Sequence, residues 1–296
     1  MSMRLALIGA NGQLAWDLMR VLAGDFPNTE IIPMTHSDIE VADRGSVQRC
    51  LEAIVPSHII NTSAYHKVDE VEENPDRAFA VNAIGPRNIA LVATSIGAVL
   101  VHMSTDYVFS GRQTVPYVET DSVDAINVYG ASKAAGEMLV RSLVSHHFIV
   151  RSSGLYGLAG PSGKGSNFVE LMLRLASENR PIRVVNDQTL TPTATYFLAL
   201  QISALLRTDA YGTYHATCQG QCTWYEFAQE IFRQSGVSPS LSPQTTRESG
   251  AKAARPFYSV LENARLKSIN LDRMPTWQEA LTEYLASRKT TPSVTR

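Results

Sequence analysis

A short apolar run, Arg4-Leu5-Ala6-Leu7-Ile8, passes directly into Gly9-Ala10-Asn11-Gly12-Gln13-Leu14-Ala15. No other feature limits the possible folds as strongly. The run reads as a buried strand, and the amphipathic stretch 13–23 reads as a helix. The G-x-x-G-x-x-A spacing allows a tight turn and brings backbone N–H groups close to a pyrophosphate at a helix N-terminus. Ala15 is small enough for helix and strand to pack. An ordinary tight turn can show the same glycines, so the weight comes from their place straight after the first strand.

The rhythm repeats. Strands are expected at 30–34, 58–61, 98–103 and 148–151, and helices at 46–54, 75–96 and 127–145. Strands separated by helices imply a parallel sheet covered on both faces. After Arg151 the pattern loosens. Residues 154–167 contain five glycines and no periodicity, which reads as a loop over the site. Helices are expected at 168–178, 196–206, 223–234 and 276–287, and a polar, proline-containing stretch at 238–255. The expected fold is α/β: a doubly wound, Rossmann-like parallel sheet with a smaller C-terminal α/β substrate lobe. Residues 1–151, completed by parts of 186–217, form the dinucleotide-binding domain. Residues 152–185 and 218–290 form the substrate lobe, and 291–296 a flexible tail.

Composition excludes several classes. With 44% hydrophobic and 18% charged residues the chain can build a core, so wholesale disorder is not expected. Lys plus Arg number 26 against 28 Asp plus Glu, so the basic excess of a nucleic-acid binder is missing. Cys50, Cys218 and Cys222 form no CxxC and are odd in number, which argues against a disulfide framework and a zinc site; no metal is expected. No apolar run approaches 18 residues and no signal-peptide pattern opens the chain. The expectation is a cytoplasmic protein off the membrane, with a homodimer left open.

Three residues suggest a reaction. Tyr129 and Lys133 are four apart on an expected helix and share a face. Thr105 follows the fourth strand, where open α/β sheets place ligands. A phenol is a reluctant proton shuttle at neutral pH, and a neighbouring ammonium favours its phenolate. Lys133 is expected to do this and to hold a nicotinamide ribose, while Thr105 orients a carbonyl oxygen. After the second strand, Asp38 is a candidate for the ribose 2′-hydroxyl, whereas His36 and Ser37 equally suit a 2′-phosphate. NADPH and NADH both remain open as cofactors.

The chain resembles the extended short-chain dehydrogenase/reductase family, and within it the dTDP-4-dehydrorhamnose reductase group. The matching segments are Gly9 to Leu14; Asn61-Thr62-Ser63-Ala64-Tyr65 with Val68-Asp69; Val81-Asn82-Ala83; Ser104 to Phe109 with Gly111; Tyr129-Gly130-Ala131-Ser132-Lys133 with Gly136-Glu137; Arg151-Ser152-Ser153; Asp187-Gln188 with Pro192-Thr193; and Arg255-Pro256. The resemblance implies NAD(P)H-dependent reduction of a 4-keto group on a nucleotide-linked deoxysugar, dTDP-4-dehydro-L-rhamnose above all. Gly9, Asn11, Gly12, Gln13 and Leu14 would wrap the pyrophosphate, and Glu40 and Val41 would lie near adenine. Ser63, Ala64, Tyr65 and Met103 would line the nicotinamide half. Thr105, Tyr129 and Lys133 would be catalytic, and Asp106 would touch the sugar. Arg255, after a polar stretch, suits the substrate diphosphate.

Two positions depart from the pattern. The family commonly has Trp, packed on the sugar, where this chain has Gly154, and glycine where it has Leu190. The resemblance therefore implies an intact catalytic half and an altered substrate half. Other outcomes it allows are a different nucleotide-sugar reductase or epimerase, or a non-catalytic regulatory subunit like that of methionine adenosyltransferase.

Overall fold

In the computed structural model, residues 3–159 and 166–290 are described. The order begins β1 (Arg4–Ile8), α1 (Gln13–Asp25), β2 (Glu30–Met34), α2 (Arg44–Ile54) and β3 (His58–Asn61). It continues with α3 (Val68–Glu73), α4 (Pro75–Phe79), a π-helical turn (Ala80–Ile84), α5 (Gly85–Ile96), β4 (Val99–Thr105), α6 (Val128–Leu143) and β5 (His147–Ser152). Then follow β6 (Leu155–Tyr156), α7 (Phe168–Ser177), β7 (Ile182–Val185), β8 (Thr189–Leu190), β9 (Thr193–Ala194) and α8 (Thr195–Leu205). The last elements are β10 (Gly212–His215), β11 (Cys222–Thr223), α9 (Trp224–Ser235), β12 (Leu241–Gln244), α10 (Ala264–Ser268) and α11 (Trp277–Thr290).

Six strands form one sheet in the order β10-β5-β4-β3-β1-β2, and every pairing is parallel. The chain leaves β1 for β2 on one side and returns to β3 on the other. The crevice at the carboxyl ends of β1 and β3 is thus the switch point where such sheets bind ligands. One apolar cluster joins Leu5 and Leu7 of β1, Leu18 of α1, Val150 of β5, Ile202 of α8 and Tyr214 of β10. The opposite face packs Ile59, Ile89, Leu100 and Val140. A separate cluster lies further along the chain, with Tyr156, Met172, Phe227, Trp277 and Leu281.

The expected 75–96 helix is helical throughout, but α4 passes into a π turn before α5. Asn82 in that turn is fully buried. It accepts from Tyr65 N at 2.9 Å and donates to Tyr65 O at 2.9 Å and to Ser132 Oγ at 3.1 Å. Periodicity could not show an extra residue in a helix. It also missed β12, a Leu-Ser-Pro-Gln strand with no apolar alternation that pairs with β7. Part of the 154–167 loop (160–165) and the expected tail 291–296 lie outside the described residues.

Candidate active site

The site begins where β1 ends. Gly9 has φ +85°, and a Cβ there would stand 2.7 Å from Thr62 Oγ1 and 2.8 Å from Ser63 N. Only glycine satisfies both the left-handed backbone and the approach of the β3 loop. Gly12 caps α1 without a side-chain hydrogen bond, and the first turn holds no acid. The N-terminal N–H groups and their partial positive charge are thus left for an anion. Gln13 Nε2 donates to Leu155 O at 3.2 Å, while its Oε1 is buried without a partner. A cradle that a Cβ would fill, with free helix N–H donors beside it, fits a dinucleotide pyrophosphate.

From this cradle opens a cavity of about 660 Å³. Gly9, Asn11, Gly12, Gln13 and Leu14 line it at the turn. Glu40 and Val41 line it beyond β2, and Ser63, Ala64 and Tyr65 beyond β3. Met103, Thr105, Asp106, Tyr129, Lys133 and Gly154 also face it. Asp38 does not belong to the lining. Its Oδ2 accepts from Thr35 N and Oγ1, both at 2.7 Å, and the Thr35 hydroxyl holds its carboxyl below the usual range. Thr35, His36 and Glu40 occupy that wall instead.

Arg255 is also absent from the lining, where Pro256 and Ser259 stand. Its guanidinium donates to Asp69 Oδ1 at 2.9 Å and to Ala253 O at 3.0 Å. Asp69 Oδ1 also accepts from Lys252 N and Ala253 N, both at 3.0 Å. Arg255 thereby clips the 252–255 segment to α3, and Asp69 already occupies a guanidinium nitrogen.

Around the reacting position, Asn127 caps α6 by accepting from Gly130 N at 2.8 Å and donates to Ala254 O at 2.8 Å. That fixes the turn bearing Tyr129. Thr105 Oγ1 donates to Asp106 Oδ1 at 2.9 Å and accepts from Tyr107 N at 3.2 Å. Ser153 and Ser259 donate to Asp106 Oδ2 at 2.8 and 2.6 Å. Burial pushes the Asp106 carboxyl up, and these hydroxyls draw it back. Lys133 Nζ donates to Met103 O at 2.6 Å.

The electrostatics differ from the sequence expectation. The Tyr129 phenol is pushed up, first by withdrawal from bulk water and then by Asp106; Lys133 is not among the groups that hold it down. Burial pushes the Lys133 ammonium down to about 8, against Glu137. Lys133 aims at a β4 carbonyl, and Thr105 is the group that draws the phenol back. A neutral phenol is nonetheless the form that can donate a proton to a developing alkoxide.

The two departures from the family pattern meet in space. Gly154 has φ +56°, and a Cβ there would lie 2.9 Å from Leu190 Cδ1 and 3.1 Å from Pro192 Cα. Leu190 fills the space a side chain at 154 would need, and both residues face the cavity. Nearby, Phe168 and Trp224 pack with ring centroids 4.7 Å apart and also line it. Sequence reasoning gave these two no role: each opens an amphipathic helix, where an aromatic ring reads as core.

A model of the RmlD substrate binding domain matches residues 3–290. The chain belongs to the RmlD substrate binding domain family. This places it among extended short-chain dehydrogenases/reductases. Within the RmlD family it is 40% identical over 285 residues to the spore coat polysaccharide biosynthesis protein SpsK of Bacillus subtilis, covering 96% of this chain and 98% of that one. It is 37% identical over 287 residues to a dTDP-4-dehydrorhamnose reductase of Streptomyces griseus, covering 95% and 92%. The crystal structure of dTDP-4-dehydrorhamnose reductase from Bacillus anthracis in complex with NADP superposes with a TM-score of 0.92 at 40% identity, covering 97% and 100%. That structure pairs the fold with NADP.

Proposed function

We propose that the chain is an NAD(P)H-dependent oxidoreductase that reduces the 4-keto group of a nucleotide-linked deoxysugar, with dTDP-4-dehydro-L-rhamnose as substrate and dTDP-L-rhamnose as product. The observation that carries this reading is one cavity running from the Gly9–Gln13 cradle to Thr105, Tyr129 and Lys133. The names of its full-length relatives supply the substrate class.

NADPH or NADH, when bound, supplies the hydride. Gly9, Asn11, Gly12, Gln13 and Leu14 hold the pyrophosphate; Glu40 and Val41 border the adenosine half; Ser63, Ala64, Tyr65 and Met103 border the nicotinamide half. Thr105 orients the keto oxygen and Tyr129 gives its proton to the alkoxide. Lys133 holds the ribose. Asp106 fixes Thr105 and faces the sugar, with Gly154 and Leu190 forming the wall beside it. The sheet lobe, with β10 and α8 added, serves the cofactor, and the 152–185 and 218–290 segments serve the sugar nucleotide. Among the described residues no helix is long and apolar enough to cross a membrane, and a cytoplasmic homodimer belongs to the same proposal.

A turnover screen tests it. Each reduced coenzyme is offered with dTDP-, UDP- and GDP-linked 4-keto sugars, and loss of nicotinamide absorbance is followed. Oxidation with dTDP-4-dehydro-L-rhamnose, yielding dTDP-L-rhamnose by mass and chromatography, is expected. No oxidation with any keto sugar would overturn the reading.

A further inference from the structure

Lys133 has an electrostatic problem that the site itself does not solve. It is 2% exposed, and its Nζ donates to a neutral carbonyl, Met103 O. A buried ammonium is costly unless an anion compensates it. Asp106, across the cavity, is engaged by three hydroxyls.

The compensation lies behind the lysine. Glu137 follows Lys133 by four residues on α6, so the two share a face. Glu137 is fully buried. Arg151 reaches it from β5, with Nε to Oε1 at 2.8 Å and Nη2 to Oε2 at 2.6 Å. In the β4–β5 ladder Arg151 stands opposite Ser104, the residue after the carbonyl that Lys133 holds. The carboxylate is therefore one helical turn from the lysine on the same face of α6 and is held there from β5 by Arg151. Two charge-assisted bonds let it remain a buried anion.

We propose that Glu137, secured by Arg151, is the counter-charge that keeps Lys133 an ammonium in the working enzyme, and so is a positioning residue for the reaction. The proposal rests on the reductase reading for its consequence, but the ionisation of Lys133 can be tested without it. The other charged or titratable groups around Lys133 do not substitute for Glu137. From β4 comes His102, which burial and the lysine's own charge hold neutral. From its own helix comes Tyr129, held neutral. From β10 comes His215, facing Arg151 at 3.4 Å and pushed down to about 3 by burial. Arg141 lies 4.0 Å from Glu137 and is half exposed.

Competitive acetylation of the cofactor-free full chain by trace acetic anhydride, resolved by peptide mass, reads the fraction of Lys133 present as free amine at each pH. In Glu137→Gln the midpoint is expected to move to lower pH, giving about fivefold more free amine at neutral pH. The basic limb of the kcat profile should move with it. Glu137→Gln leaves Arg151 buried without its partner and can fail to fold. The double variant Glu137→Gln/Arg151→Met removes the pair together and is the more tolerated change; its midpoint is expected to move the same way. A folded variant of either kind with the parental Lys133 midpoint overturns the proposal. A parent inactive on every keto sugar would instead sink the reductase reading and leave the labelling result standing.

Discussion

Tyr129→Phe deletes one oxygen and leaves the ring against Tyr107, 5.8 Å between centroids. Folding and coenzyme titration should survive, while single-turnover reduction falls by about 10²–10⁴-fold, the range of general acid catalysis. Parental turnover would remove Tyr129 as donor. Lys133→Met should impair both turnover and coenzyme affinity, read by fluorescence titration of NADPH, because the proposed role of its ammonium covers both. Gly12→Val adds a branched side chain whose Cβ would already stand 3.2 Å from Gly9 O. It should abolish coenzyme binding with little loss of melting temperature, since Gly12 sits in extended backbone that Val can adopt. Much of this scale was legible in the sequence: the cradle follows from glycine spacing, and Tyr129 and Lys133 from helical period. What could not be read was direction. Arg255 turns to Asp69, Asp38 turns into its own loop, and Lys133 turns to β4, because side-chain orientation depends on partners distant in sequence.

At the scale of elements, α1 and α8 meet through a buried polar contact. Thr195 Oγ1 donates to Asp17 Oδ2 at 2.5 Å. Burial pushes Asp17 up to about 6, against that hydrogen bond and Arg20. The native state therefore binds this proton more tightly than the unfolded chain does. Stability from this group is complete below the unfolded value near 4 and is lost as pH rises through about 6, by up to about 3 kcal/mol. Asp17→Asn should accordingly melt above the parent at pH 8 and nearly level with it at about pH 3.5, in paired thermal scans. A variant no more stable at pH 8 would show that the ionised carboxylate bears no such cost. The alternation of the first five strands was plain from their apolar runs. The small ladders β6–β9, β8–β11 and β7–β12 were not, because two-residue strands and a Pro-containing one carry no period.

Across the whole molecule, the sheet is finished late. Its edge strand β10 pairs with β5 through Gly212↔Phe148 to His215↔Arg151, and α8 covers α1 in the same cluster. A fragment ending at Arg151 should lack a cooperative urea transition, whereas the full chain should show one, monitored by far-ultraviolet circular dichroism. A fully cooperative fragment would make the first lobe independent. The same arrangement has a consequence for manufacture on the ribosome. The growing polypeptide must add about 60 more residues after β5 before its neighbour exists, roughly 3–13 seconds at ordinary elongation rates. During that interval a bare strand edge is available to any passing nascent chain. Slow codons placed within 152–215 should therefore lower soluble yield without altering one amino acid, and the same codons placed after residue 215 should not.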